Sequence, residues 1–167
     1  MTEPRPRVAT PADIPELVRI INAAYRVEDF FIKGDRTAVP ELQAMMARPM
    51  GAFLALDAPG EGTLAAAVYL EFRGQGMYFG MLSVDPVRQK QGHARQLLEA
   101  IEARAREAGC TRLEIEVVNL REELPAFYLR QGFAVTGTKP FHTTEKLKLP
   151  AHMVLMRKTL DDAGDRS

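Results

Sequence analysis

The chain has 167 residues, 46% of them hydrophobic and 26% charged, with 22 basic and 22 acidic side chains in exact balance. That length suits one domain, residues 1–167, with a proper core and is short for two, while a formal charge of zero argues against a nucleic-acid surface or an acidic membrane as partner. The single cysteine, Cys110, excludes an internal disulfide, argues against a cysteine metal cluster, and reads as a small buried residue ahead of a strand rather than a nucleophile.

In chain order, residues 1–6 and the tail DDAGDRS (161–167) are polar and expected to fray. The opening MTEPRPRVATP lacks the apolar centre of a signal peptide and no apolar run is long enough to span a bilayer, so the expected location is the cytoplasm. RVAT (7–10) reads as a short first strand. Thr10 is a good helix N-cap, with Pro11 in the first helical position and Asp13 in the first turn. Ile14, Leu17, Val18, Ile21 and Tyr25 then recur at helical spacing, which predicts a helix to about Arg26. Residues 26–50 are less regular, with loop over 27–36 and a helix over 40–48. GAFLALD (51–57) and GTLAAAVYLEFR (62–73) read as strands joined by a Pro-Gly turn, and MYFGMLSVD (77–85) as a third that Pro86 ends.

The apolar stripe Ala94, Leu97, Leu98, Ile101, Ala105 and Ala108 predicts a helix starting after Gly92, with Gly109 where a C-cap glycine belongs. TRLEIEVVN (111–119) alternates cleanly, with Leu113, Ile115 and Val117 on one face and Glu114 and Glu116 on the other. A short helix over 124–130, closed by Gly132, precedes two last strands, 133–138 and 152–160. The order of elements predicts a mixed α/β or α+β fold with a predominantly antiparallel sheet.

The junction SVDPVRQKQGHARQLLEAIEAR (83–104) raises the functional question. A helix N-terminus offers unpaired N–H groups and about half a positive charge, and a glycine in its first turn lets a ligand approach the backbone. Gly92 stands among Arg88, Gln89, Lys90, Gln91, His93 and Arg95. Neither G-x-x-x-x-G-K-[ST] nor G-x-G-x-x-G is present, so neither standard phosphate loop applies. An anion site and a polar surface turn with a capping glycine both fit the stretch.

The spacing Gln89-x-x-Gly92-x-Ala94 resembles the [Q/R]-x-x-G-x-[G/A] acyl-CoA signature of the GNAT acetyltransferase superfamily. LSVDP upstream is similar to that family's fourth strand, and LEIEVVNLREELPAFYLRQGF to its fifth strand and fourth helix, with Asn119 and the FYxxxGF ending at Phe133. The strong matches cover roughly residues 77–135. Lys90 is a departure, since many members carry glycine there, and it bears on the fine geometry of phosphate contact.

The resemblance implies a largely antiparallel sheet of about seven strands with splayed fourth and fifth strands, flanked by about four helices. It also implies acetyl-CoA as co-substrate, with no metal. Leu82, Ser83 and Val84 would hold the pantetheine arm and polarise the acetyl carbonyl through their backbone. Amides of Gln89, Lys90, Gln91, Gly92, His93, Ala94 and Arg95 would take the pyrophosphate, and Asn119 would hydrogen-bond the arm. Tyr128 matches the family's tyrosine that protonates the leaving thiolate, although by itself it could equally be the aromatic of an amphipathic helix. The base is open among Glu71, Glu116, His142 and His152, each of which could simply face solvent. Glu114 and Glu116, side by side on one strand face, do not make an opposed hydrolytic pair.

Tyr25, Glu28, Asp29, Phe30, Phe31 and Arg36 together with the 139–152 connection are expected to border the acceptor pocket. Met45, Met46 and Met50 could line it or fill core. The expected activity is acetyl transfer to a primary amine of a small molecule by a monomer or homodimer. The rivals are a protein acetyltransferase acting on an N-terminus or lysine, and a non-catalytic acyl-CoA sensor.

Overall fold

The computed structural model describes residues 5–60 and 62–160; the ends expected to fray fall outside them at 1–4 and 161–167. Seven strands form one sheet in the order β1-β2-β3-β4-β5-β7-β6: β1 Arg7–Val8, β2 Gly51–Asp57, β3 Leu64–Arg73, β4 Gly76–Val84, β5 Arg112–Val118, β6 Ala134–Pro140 and β7 His152–Thr159. Four α-helices cover it: α1 Ile14–Tyr25, α2 Val39–Met46, α3 His93–Glu107 and α4 Glu123–Arg130. Every strand pair is antiparallel except β4 with β5. The expected class, strand number and helix number hold.

Two apolar layers sandwich the sheet. Ile14, Leu17, Ile20 and Ile21 of α1 and Leu42 of α2 pack on Phe53, Ala55, Ala67 and Tyr69. Across the sheet, Leu97, Ile101 and Ala105 of α3 and Tyr128 of α4 pack on Val68, Met77, Phe79, Leu113, Ile115 and Val117. The alternation of β5 therefore sends its apolar face to α3 and α4 and its glutamates to the α1 side.

Several boundaries move for local reasons. Residues 11–13 form a 3-10 turn ahead of α1, fixed where Thr10 N donates to Asp13 Oδ2 at 2.8 Å and Arg7 binds both Asp13 and Asp57. A second 3-10 turn, 26–28, extends α1 into the segment expected to be loop. The second helix runs 39–46 rather than 40–48, because Arg48 precedes Pro49 and is pushed out of helical conformation. Ala108 leaves the predicted stripe: it is the C-cap of α3 and exposed, with Gly109 left-handed beyond it. Cys110 is half-buried, and burial pushes its thiol up.

Candidate functional site

The site begins with a defect in β4. Ser83 pairs with Ala67 and Gly80 with Tyr69, so Met81 and Leu82 together face Val68 alone. Met81 is left-handed at φ 54°, a strained conformation for a side chain of that size, and the buried Ser83 hydroxyl donates to its carbonyl at 3.0 Å. A bulge bends its strand, and β4 meets β5 only over Gly76–Tyr78 against Arg112–Glu114. Past Tyr78 the strands separate, while β5 stays paired to β7 through Val118.

Asp85 N donates to Ala65 O at 2.9 Å, so alternation turns Ser83 toward β3 and leaves the backbone groups of Leu82 and Val84 facing the open side. Of the three residues singled out on this strand, two present their backbone to the cleft, and Ser83 holds the bulge instead.

At the end of the cleft, Asp85 caps the turn 86–88 by accepting from Val87 N, and Arg19 of α1 holds the same carboxylate. Lys90 (φ 65°) and Gly92 (φ 84°) are both left-handed. Lys90 thus adopts the conformation of the glycine that many members have there. The first helical bond of α3 runs from Gln96 N to Gly92 O, which leaves the N–H groups of His93, Ala94 and Arg95 without helical acceptors. Arg88 Nε and His93 Nδ1 are buried without a hydrogen-bond partner among the described residues. A turn this rich in unmet donors, with open space where a Cβ on Gly92 would stand, can receive a di-anionic group.

Three phenols stand near the fork where β4 and β5 part. Tyr128 of α4 is 5% exposed, walled by Phe79, Phe127 and Phe133, with ring centroids 5.1–6.2 Å away. Its hydroxyl makes no hydrogen bond to the described residues. Burial, and then the neighbouring Tyr25, hold it well above the ordinary phenol range, so it stays protonated. Tyr25 is pushed up to about 12 by burial, and burial also raises Tyr78, with Glu116 as the next cause. Tyr25 and Tyr78 lie on the α1 side of the sheet and Tyr128 on the other, and both add to the rise at Tyr128 from across the sheet.

The carboxylates around these phenols differ. Glu71 accepts from Tyr69 Oη (2.6 Å), Arg73 Nε (2.7 Å) and Arg48 Nη1 (3.3 Å), and those donors lower its pKa. Glu116, half-buried, pairs among the described residues with the exposed Lys139 at 2.7 Å. Glu28, 7% exposed, is raised by burial against the pull of Arg121, whose Nη1 donates to it at 3.1 Å. His142 stacks on Phe141, and burial with Arg36 depresses it. His152 and Asn119 are tied to each other: Asn119 Oδ1 accepts from His152 N at 2.8 Å, which leaves the Asn119 amide nitrogen as the free end. Among the described residues no group of His, Cys, Asp and Glu could hold a metal ion.

The segments 25–36 and 141–146 meet in a small pocket of about 70 Å³ lined by Tyr25, Glu28, Arg36, Phe141 and His142. Backbone bonds from Lys33 N to Lys146 O and Lys148 N to Phe31 O stitch its rim. Phe31 is wholly buried beneath it, whereas Met50 is exposed and Met45 and Met46 pack beside the α1 core, away from this pocket. Tyr78 and Arg121 escaped the sequence reading of the site and carry no local signal, whereas Arg88 reads there as one of the donors of the turn without assignment to the pyrophosphate.

A splayed pair of parallel strands running into a donor-rich helix start defines an acyl-CoA-dependent acetyltransferase fold. The acetyltransferase (GNAT) family model matches residues 15–133, and the chain belongs to that family. Solved structures agree on the fold. The ribosomal-protein-S18-alanine N-acetyltransferase from Escherichia coli superposes with a TM-score of 0.78 over 98% of both chains at 19% identity. PaiA N-acetyltransferase from Thermoplasma acidophilum, in complex with coenzyme A, gives 0.75 over 95% of this chain and 100% of its own at 16% identity. Nourseothricin acetyltransferase gives 0.73 over 96% and 100%, also at 16% identity. No match is found among curated proteins.

Proposed function

We propose that this acetyltransferase moves the acetyl group of acetyl-CoA directly to a primary amine of a small molecule. The observation that carries the donor half is the pair of buried, unpartnered donors, Arg88 Nε and His93 Nδ1, at the end of the open β4 edge. They would meet the pyrophosphate together with backbone N–H groups from Gln89 to Arg95. Leu82 and Val84 would pair with the pantetheine arm, and the Asn119 amide nitrogen would reach it from β5. Acetyl-CoA supplies an activated thioester whose sulfur leaves with the bonding electron pair.

Tyr128 donates its phenolic proton toward that sulfur; a buried, protonated hydroxyl with no competing acceptor suits the task. Glu116 takes the amine's proton, directly or through water. It stands on the splayed strand near Tyr78, and its ion-pair partner among the described residues is an exposed lysine that can turn away. Glu71 is a poorer choice, because three donors already hold its charge. The small stitched pocket supports a small acceptor over a protein segment. A cytoplasmic location goes with a substrate pool of acetyl-CoA, and no helix among the described residues is long and apolar enough to cross a membrane.

Calorimetric titration with acetyl-CoA tests the donor half. Gly92→Asp places a negative charge at the helix start, and Gly92→Asn gives the same shape without it. Both residue types tolerate a left-handed φ better than most. Micromolar binding by the wild type, weakened at least tenfold more by Asp than by Asn, is expected. Absence of wild-type binding would overturn the reading.

A further inference from the structure

We infer that the pocket beside Tyr25 is an anion subsite, and that the acceptor is a small amine also bearing a carboxylate or phosphonate, gripped by Arg36. This rests on the transfer reading above and adds the chemical class of its acceptor.

The pocket's charges do not balance. Four of its residues are cationic, Arg26, Lys33, Arg36 and Lys146, and two are acidic, Glu28 and Asp35. Both acids are already engaged: Asp35 by Arg26, and Glu28 by Arg121 from outside the pocket. Arg36, Lys33 and Lys146 are left with no acidic side-chain partner among the described residues. In a chain whose 22 basic and 22 acidic side chains cancel, three cations without an ion pair in one pocket are a local arrangement, not a global excess.

Arg36 is the best placed of the three. Its guanidinium lies over the Tyr25 ring, 5.3 Å from the centroid, and Tyr25 is itself held by burial. This cation–π contact anchors the charge over the ring and leaves the guanidinium with no ion pair among the described residues, so its N–H fork can take a carboxylate or phosphonate. Arg36 lines the pocket together with Tyr25, Glu28 and His142. Lys33 and Lys146 are exposed and flank it from the rim.

Position sets the rest of the acceptor. Tyr25 lines the pocket with Arg36 over its ring, and Glu28 of the same pocket meets Arg121, two residues beyond Asn119 on the cleft wall. An anion held there lies beside the cleft, which suits a compact acceptor such as an amino acid or aminoalkyl phosphonate. A polyamine would bring further positive charge to the three cations, and a protein N-terminus would bring a neutral amide.

The test uses the full chain and thiol release from acetyl-CoA with matched acceptors: free amino acids, aminoalkyl phosphonates, the amino acid amides and a peptide with a free N-terminus. The best anion-bearing acceptor should exceed its own amide in kcat/KM by about 30-fold. Arg36→Gln should collapse that ratio to within about threefold, through KM and not kcat, and Arg36→Lys should restore part of it. The carboxylate and phosphonate arms identify which anion fits.

Thermal shift with the same compounds and no acetyl-CoA gives an independent readout: anionic amines should stabilise the wild type, their amides should not, and Arg36→Gln should lose the effect. Circular dichroism confirms that the variants fold. Equal or better use of amides or the peptide, a ratio unmoved by Arg36→Gln, or no compound acting in either assay would overturn the subsite. Acetyl-CoA binding measured on the same preparations separates that failure from failure of the transfer reading.

Discussion

The two ends of the cleft are built differently. The donor end, from the Met81 bulge to the start of α3, is one continuous piece of chain that offers mostly backbone N–H groups. The acceptor end is assembled from side chains far apart in sequence. Glu28 meets Arg121 across 93 residues, and Lys148 Nζ reaches Asp29 O across 119. A site made of backbone needs a few residues with particular torsions and leaves a short signature. One made of side chains can be rebuilt from many sequences, so a constant donor end can serve varied acceptors.

Tyr128 stands where the ends meet and gives the largest expected effect. Tyr128→Phe should lower kcat about 10³-fold, roughly 4 kcal/mol, and leave the affinity for acetyl-CoA unchanged by calorimetry. Equal losses in both would make the ring a packing element of the donor end. Phe79, 1% exposed against Tyr128 and Phe133, walls the junction. Phe79→Ala should cost about 3–4 kcal/mol in chemical denaturation, as a buried cavity does. Glu116→Gln should then reduce kcat/KM by about 10², whereas Glu71→Gln should change it by no more than about threefold. A reversal would move the base to Glu71.

Smaller effects probe the donor turn and the corners of the fold. Lys90→Gly should stabilise the protein by about 0.5 kcal/mol, because relief from a left-handed φ slightly exceeds the added freedom of the unfolded chain. Denaturant midpoints would show it, and a loss of stability would mean that the lysine side chain holds the turn. The pH dependence has two opposite signs. Hydrogen bonds from Arg7 depress Asp13, so its stabilising share is present above the unfolded aspartate value of about 3.9 and is lost as pH falls. Asp13→Asn should therefore flatten the drop in melting temperature between pH 5 and 3. Burial raises Glu28, so its share is present below the unfolded glutamate value of about 4.3 and is lost as pH rises through the folded one. Glu28→Gln should flatten that opposite slope.

Much of this molecule is legible without coordinates. The stripe Leu97, Ile101 and Ala105, the alternation of Leu113, Ile115 and Val117, and the punctuation at Gly92, Gly109 and Gly132 rest on local torsions and on periods of 3.6 and 2. Those are properties of short windows, and they decided the elements, their order and the donor turn. The boundary errors at α2 and Ala108 are a residue or two, where a proline or a cap competes with the apolar pattern.

Tertiary structure alone decided which strand edge stays open and which charges face each other. Met81 carries no mark of a bulge, since the strain at φ 54° is sustained by the register of β3 and by the Ser83 hydroxyl. Ser83 looked like its neighbours until pairing with Ala67 turned its backbone away from the cleft. Arg36 reads as one more surface cation until Arg26 takes Asp35 and Arg121 takes Glu28, leaving it over the Tyr25 ring without an ion pair among the described residues. Periodicity is set by neighbours along the chain, whereas charge balance and strand register are set by neighbours in space.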